Sequence, residues 1–390
     1  MSKTFIHFNY GLIGVDLELK KNITVEVNEN GIVSNLSYDD VREEISFSLK
    51  QPAFLLIPGL INSHIHICDS FAKEQGFNKN LIDVVAPPNG IKHKLLENTS
   101  EAIKIQGIKE AVKDMLANGI TLFVDFRENG IIGVNILKDA LENSPINYII
   151  LGRFKNLEEA EIILENANGI GFASYDQLSP DHKNTIIGLK NKYRSKTIAC
   201  HDAELSRNEL RFNDIIRDRL IDVIIHGTHY TMEDLKKIKE NHIMLVLCPR
   251  CNGYFGCGFP PINELYDLEI PVSLGTDNVM ANNIDLFEEM RYLYRIFRVL
   301  AANKSKNTLT SKDLLKMVTI NAAKNFGLIE KFGSISVGKY ADFSLLSLSD
   351  SNYYSNGLDS ENIYNIIVQR TRAENIKRTY IKGEVAYERD

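Results

Sequence analysis

The sequence has no long hydrophobic run and no block of like charge, and it is sparing with cysteine and histidine. No apolar stretch approaches the ~18 residues of a bilayer crossing, so a membrane-spanning protein is not expected. The first residues, MSKTFIHFNYGLIG, lack an extended apolar core followed by a small-residue cleavage site. A signal peptide is therefore not expected, and the expected location is cytoplasmic. Charges are scattered rather than massed, with a formal net charge of −6. That balance predicts neither a polyelectrolyte tail nor the basic surface of a nucleic-acid-binding protein. The five cysteines are Cys68, Cys200, Cys248, Cys251 and Cys257. In a large cytoplasmic protein they are expected as thiols or metal ligands rather than disulfides.

What is present is a soluble globular composition, 44% hydrophobic and 25% charged over 390 residues. Such a length implies two domains, or one large barrel with an appendage. From about Leu55 onward, short apolar runs alternate with helical patterns. The runs are FLLIPGLINS, ITLFVDF, NYIILGRF, GIGFASY, KTIACH, DVIIHG, IMLVLCP and PVSLGTD. Most are apolar at consecutive positions, as parallel strands covered on both faces require. Between them, Ser100 to Asn118 places Ile108, Ala111, Val112, Met115 and Leu116 on one helical face, with Gly119 positioned to end the helix. Ser179-Pro180-Asp181 reads as a cap, a first-turn proline and an acidic first turn, and Thr231 to Asp234 as a capping box. A further helix is expected from Leu286 to Leu300. Strand and helix alternating in this way predict an α/β protein with a (β/α)8 TIM-type barrel over residues 56–330. The two ends read as strand-rich, the C-terminal one through ADFSLLSL, IYNIIVQ and RTYIKGEVAYE. Neither end has enough apolar surface to stand alone. Residues 1–55 and 331–390 are therefore expected to combine into one small β-sandwich domain.

Barrel chemistry takes place at the C-terminal ends of the strands. The first strand ends in His64 and His66, the fifth in His201 with Glu204 three residues on, the sixth in His226, and the eighth in Asp277. Residues two apart on a strand face the same side, so His64 and His66 can aim both imidazoles into the barrel mouth. With His201 and the Asp277 carboxylate they make a nitrogen and oxygen donor set with room for a water. A divalent ion there would lower the pKa of that water toward ~7 and yield hydroxide at neutral pH. Each residue alone reads as structural: a loop histidine pair, a hydrogen-bonded His201, a turn aspartate at Asp277. Their placement at separate strand exits of one barrel favours the metal site.

The segments PGLINSHIH, GITLFVDF, HDAE, IIHGTH, LGTDN with NNIDLFEEMR, and TINAAKNFGL with GSISVGKYADFSLL run in order from about residue 56 to 345. In these the chain resembles the amidohydrolase superfamily. It is most similar to the single-metal branch that holds cytosine, guanine and S-adenosylhomocysteine deaminases and the triazine chlorohydrolases. The resemblance implies that His64, His66, His201 and Asp277 hold one divalent metal, zinc or alternatively Fe(II) or Mn. It implies that Glu204 protonates a ring nitrogen, that His226 contacts the attacking water or the tetrahedral centre, and that Asp277 takes the water's proton. Relatives with two metals use a carboxylated lysine after the third or fourth strand. The fourth run here, GIGFASYDQ, has none, and Lys155 past the third strand reads as a solvated charge.

The implied activity is metal-dependent hydrolysis of a carbon–nitrogen bond in a small molecule, foremost deamination of an amino-substituted heterocycle. Opening of a cyclic amide as in imidazolonepropionase, dechlorination, and a non-enzymatic metal-containing barrel are the alternatives. A homodimer is compatible with the resemblance. Arg127 and Arg153 end the second and third strands; they either bind an anionic group of the substrate or pair with Asp125, Glu128 or Asp176. The long connection from Cys68 to Thr99 carries Lys92, His93 and Lys94 and reads as a lid or specificity element. In CPRCNGYFGC no fourth ligand accompanies Cys248, Cys251 and Cys257, so a second metal centre is not expected there. Arg250 and Asn252 are candidate pocket residues in that segment, as is His93 in the long connection.

Overall fold

The computed structural model describes residues 4–41, 53–301, 308–355 and 362–389. Its strands fall into two sheets. Near the N-terminus lie β1 (Thr4–Ile13), β2 (Glu18–Val27), β3 (Val33–Asp40) and β4 (Phe54–Pro58). Then come β5 (Leu60–His66), β6 (Ile120–Arg127), β7 (Asn147–Gly152), β8 (Gly169–Phe172), β9 (Thr197–Asp202), β10 (Val223–His226), β11 (Met244–Leu247), β12 (Val272–Leu274) and β13 (Asp277–Asn278). The last three are β14 (Phe343–Ser347), β15 (Ile376–Ile381) and β16 (Glu384–Glu388).

The larger sheet has the order β12-β11-β10-β9-β8-β7-β6-β5-β13, and every pairing in it is parallel. It is a curled all-parallel sheet, consistent with a barrel of the TIM type. β12 pairs with β11 while β13, two residues further along the chain, pairs with β5 at the other edge. Gly275 stands at that passage. A Cβ there would lie 2.7 Å from His64 Cβ and from the His64 backbone, so only glycine admits this close approach. The consecutive apolar runs are explained by two buried faces. Ile61, Leu122, Val124, Ala199, Val223 and Ile225 form one cluster, while their alternating neighbours Leu60, Phe123, Ile198 and Ile224 belong to another that includes the helices. Each buried valine, leucine, isoleucine or phenylalanine among them contributes about 1.5–3 kcal/mol of transfer free energy.

The helices begin and end where their capping residues stand. The helix Pro180–Lys192 starts at Ser179, whose side chain accepts from the His182 backbone N–H. Thr231 and Asp234 form a reciprocal capping box ahead of Met232–Glu240. The helix Glu101–Ala117 ends at Asn118, and Gly119 follows with φ +74°.

Three expectations are corrected. FLLIPGLINS is not one strand: it splits at Gly59 into β4 and β5, which belong to different sheets. A Cβ on Gly59 would lie 2.2 Å from Thr121 Oγ1, so a glycine is required at the crossing. IYNIIVQ is not a strand but part of the helix Asn362–Arg370. Its buried residues Ile363, Tyr364, Ile367 and Val368 follow a helical stripe, and Tyr364 donates to the Leu17 carbonyl at 2.6 Å. The terminal strands, expected as a sandwich, form a single seven-stranded sheet in the order β16-β15-β14-β4-β1-β2-β3. Among the described residues no helix is long and apolar enough to cross a membrane.

Candidate active site

His64 and His66 stand at the end of β5 with their ring centroids 4.9 Å apart, His201 near the end of β9, His226 at the end of β10, and Asp277 opens β13. All but His201 are buried, and His201 is partly so. Four residues from three distant segments thus meet: His64 Nε2 is 3.2 Å from Asp277 Oδ1 and 3.3 Å from His201 Nε2, and His66 Nε2 is 3.5 Å from Asp277 Oδ1. Bonds of 2.0–2.1 Å from four donors at tetrahedral angles would place those donors about 3.3 Å apart.

The outer ring nitrogens settle which nitrogens face inward. His201 Nδ1 donates to the Phe172 carbonyl at 2.9 Å. His66 Nδ1 lies 2.7 Å from Glu128 Oε1 and 3.2 Å from the Phe126 carbonyl. Both rings therefore carry their proton on Nδ1 and present the Nε2 lone pair to the centre, the arrangement of a metal-ligating histidine with its supporting shell. His64 Nδ1 and Asp277 Oδ2 are buried with no hydrogen-bond partner. Such orphaned atoms cost free energy unless something satisfies the site. His64, His66 and His201, and likewise His64, His226 and Asp277, offer ligand atoms within 4.8 Å of one another. The donor set fits a divalent ion.

Burial sets the protonation of the neighbours. It pushes the Glu204 carboxyl well above the usual range, and the negative Asp277 nearby pushes the same way. Burial lowers His226 to about 4, so its ring is neutral at pH 7. The Asn252 amide nitrogen is 3.2 Å from His226 Nδ1 and donates to it, which leaves the His226 proton on Nε2. That Nε2 is 3.4 Å from Glu204 Oε2 and 3.9 Å from Asp277 Oδ2. Burial alone would raise Asp277, but the hydrogen bond with His64 and the surrounding imidazoles hold it well below the carboxylate range. His226 has φ 77° and Asp277 φ 61°, a left-handed backbone that costs of order 1–3 kcal/mol in non-glycine residues and gathers at functional sites.

Beside these groups lies a cavity of about 170 Å³. Leu81, Ile82, Val85, Ala86 and Pro87 of the long first connection form its apolar wall. Lys92, His93, Glu128, Arg153 and Asn278 add polar groups. A larger open groove of about 780 Å³ crosses the small sheet between His7 and Arg378, but it is remote from the strand ends and contains none of the residues above.

The remaining candidates separate. Arg153 lines the cavity; its Nε is buried without a partner, and it makes no ion pair of its own among the described residues. His93 also lines it, with Nε2 3.1 Å from the Val85 carbonyl. Arg127 is not brought to the cavity wall: it is enclosed and paired with Asp125 at 3.3 Å and with Glu128. Arg250 turns away to Glu288 at 2.8 Å and to the Asn283 carbonyl. Asn252 stands behind His226 rather than in the cavity. Asp176 pairs with Arg211. The three cysteines of CPRCNGYFGC are all buried, and none belongs to a candidate metal cluster among the described residues. Sequence reading missed Glu128 and Asn278 as supports of this site. Both directly follow residues that were singled out at strand exits, Arg127 and Asp277, and that adjacency was their available signal.

The amidohydrolase family matches the chain over residues 55–192 and 191–386. A putative aminohydrolase of Methanothermobacter thermautotrophicus is 31% identical over 386 residues, covering 94% of each chain. A 5-methylthioadenosine/S-adenosylhomocysteine deaminase of Clostridium tetani is 28% identical over 368 residues, covering 85% of this chain and 81% of its own. The guanine deaminase structure of E. coli superposes with a TM-score of 0.80 at 16% identity, over 99% of this chain and 100% of that one, a likeness of fold.

Proposed function

The chain belongs to the amidohydrolase family, and from that premise we propose that it is a metal-dependent hydrolase that deaminates an amino-substituted heterocycle, a purine, pyrimidine or pterin-like ring. The observation that carries this reading is the meeting of three imidazoles and the Asp277 carboxylate beside Glu204, whose carboxyl burial pushes up, and a neutral His226. The relatives named as deaminases support it.

In this reading His64, His66, His201 and Asp277 hold one divalent ion, zinc for preference, with Fe(II) or Mn acceptable to the same donors. When bound, the ion supplies a Lewis acid that makes water a nucleophile at neutral pH. Asp277, ionised in the resting site, accepts a proton from the attacking water. Glu204, protonated, gives its proton to the ring nitrogen next to the carbon under attack. The His226 Nε2–H donates to the oxygen added at that carbon. The leaving nitrogen takes the proton from Asp277 and departs as ammonia, and the hydroxyl proton left on the adduct restores Glu204. Each proton is thus accounted for without an outside acid or base.

Arg153 and His93 are the proposed substrate contacts, with Arg153 facing an anionic group; the buried Nε without a partner supports that assignment. Asn252 acts through His226, by fixing its tautomer. We take residues 56–330 as the hydrolase barrel and 1–55 with 331–390 as the small domain, a division supported by the change of sheet near Gly59.

The test is an ammonia-release screen on metal-quantified protein with purines, pterins, pyrimidines and their anionic derivatives. Ammonia from one of these classes supports deamination. A new carboxylate without ammonia assigns the chain to cyclic amide hydrolysis instead.

A further inference from the structure

Lys92 lies on the helix Ile91–Asn98 of the long connection over the cavity, not at a strand exit, and it is 2% exposed. Its Nζ is 2.7 Å from Glu128 Oε1, 2.9 Å from Asn278 Oδ1 and 3.6 Å from Asp69 Oδ2. Glu128 and Asn278 are within hydrogen-bond distance of the ammonium, and Asp69 adds its charge at ion-pair distance. Each of the first two partners touches a different member of the histidine and aspartate cluster. Glu128 Oε1 also receives the His66 Nδ1–H at 2.7 Å, and Asn278 Nδ2 donates to Asp277 Oδ1 at 2.9 Å.

We propose that Lys92 is a positioning residue of the metal centre: one cation on the segment over the cavity fixes His66 through Glu128 and Asp277 through Asn278. The proposal rests on the metal-site reading above. The chemistry of the two relays is specific. An amide presents oxygen on one side and nitrogen on the other. With Asn278 Oδ1 held by the lysine, its Nδ2 must face the aspartate. Without the lysine the amide is free to turn its oxygen toward Asp277, oxygen against oxygen. On the other branch, Lys92 Nζ and His66 Nδ1 both lie 2.7 Å from Glu128 Oε1, so the lysine fixes the oxygen that receives the His66 Nδ1–H and keeps Nε2 on the cluster side. Lys92 is 186 residues from Asn278 in sequence, and together with Asp69, whose Oδ1 accepts from the Met280 backbone N–H at 3.0 Å, it ties the connection to the rim of β13. By linkage, an ion bound at the cluster should tighten the connection as much as the connection tightens the ion.

The experiment titrates metal-free protein with Co²⁺ against a competing chelator and reads the visible absorption of the bound ion. Wild type is expected to bind one Co²⁺. Lys92→Met and Glu128→Gln are expected to bind it about 10–100-fold more weakly with a changed band. The double variant should be weakened by less than the product of the two, since both break the Lys92–Glu128–His66 relay. Lys92→Arg, which keeps the charge and donors, should recover part of the affinity. In wild type, Co²⁺ should slow tryptic cleavage of residues 67–99, and in Lys92→Met that protection should shrink. If Lys92→Met fails to fold, the Glu128→Gln and Lys92→Arg titrations decide. Variants that bind Co²⁺ as wild type does, with the same band, overturn the proposal, and a raised KM at unchanged metal affinity would make Lys92 a substrate contact instead. Wild type that binds no Co²⁺ defeats the underlying metal-site reading, a separate and recognisable failure.

Discussion

Glu204 Oε2 lies 3.4 Å from His226 Nε2, yet burial pushes the carboxyl up and the imidazole down, to about 4. Burial thus works from both sides against the ion pair that this separation suggests. The same desolvation acts on opposite charge types and drives both toward their uncharged forms.

Glu204→Gln keeps the shape and removes the acid. With the substrate found by the ammonia screen, kcat is expected to fall by about 10²–10⁴. The metal-to-protein ratio should stay unchanged, because Glu204 is outside the proposed ligand set. Steady-state kinetics with metal analysis checks both; a kcat within a few-fold of wild type would remove Glu204 from the proton path.

Chelation should abolish turnover and lower the melting temperature, and Zn²⁺ should restore both. An ion at 1,000 times its Kd stabilises by about 4 kcal/mol. His64→Ala removes the ring that approaches both Asp277 and His201, so it should leave the protein nearly metal-free. Metal analysis and scanning calorimetry read these effects. Retention of a full equivalent of metal by His64→Ala would place the ion elsewhere.

The two strand-end arginines should part company. Arg127→Met leaves Asp125 and Glu128 buried without their shared cation, and should destabilise by about 3–5 kcal/mol. Arg153→Met should leave the melting temperature near wild type and raise KM for substrates that carry an anionic group, sparing neutral analogues. Equal losses on charged and neutral substrates would count against an anion contact at Arg153.

Asp342 joins the two sheets: its carboxylate accepts from the Lys382 backbone N–H at 2.8 Å and from Asn147 at 2.6 Å, and its carbonyl accepts from Gly59 N–H at 3.0 Å. Burial pushes this carboxyl up to about 7, against the lowering effects of those donors and of the Lys382 charge. A carboxyl whose folded pKa lies above its ordinary 3.8 binds more protons folded than unfolded between those values. Its share of stability is therefore full below about pH 4, is lost as pH rises toward about 7, and is flat beyond. Thermal melts from pH 5 to 8 should show this slope in wild type and a reduced slope in Asp342→Ala, whose loss of hydrogen bonds costs about 1–3 kcal/mol at the acid end. An identical slope in both proteins would relocate the titrating group.

Much of this was legible along the chain. Consecutive apolar runs marked the strands of the large sheet because both of its faces are covered, and Ser179, Thr231 and Gly119 marked helix ends because capping is local chemistry. FLLIPGLINS was misread because its hydrophobicity is continuous across Gly59, and only the approach of Thr121 shows why the chain must change sheets there. IYNIIVQ was misread because β-branched residues favour strands, while packing on a helical stripe outweighed that preference.

The order of the strands and the identity of the groups at their ends belong to the sequence, since a side chain's chemistry and the period of a hydrophobic pattern are properties of short segments. The tertiary structure alone decided the partners. It closed Arg127 into ion pairs and left Arg153 on the cavity wall, and it brought Lys92 against Glu128 and Asn278. Those contacts join residues far apart along the chain, and their distances, burial and resulting charge states exist only once the backbone has folded.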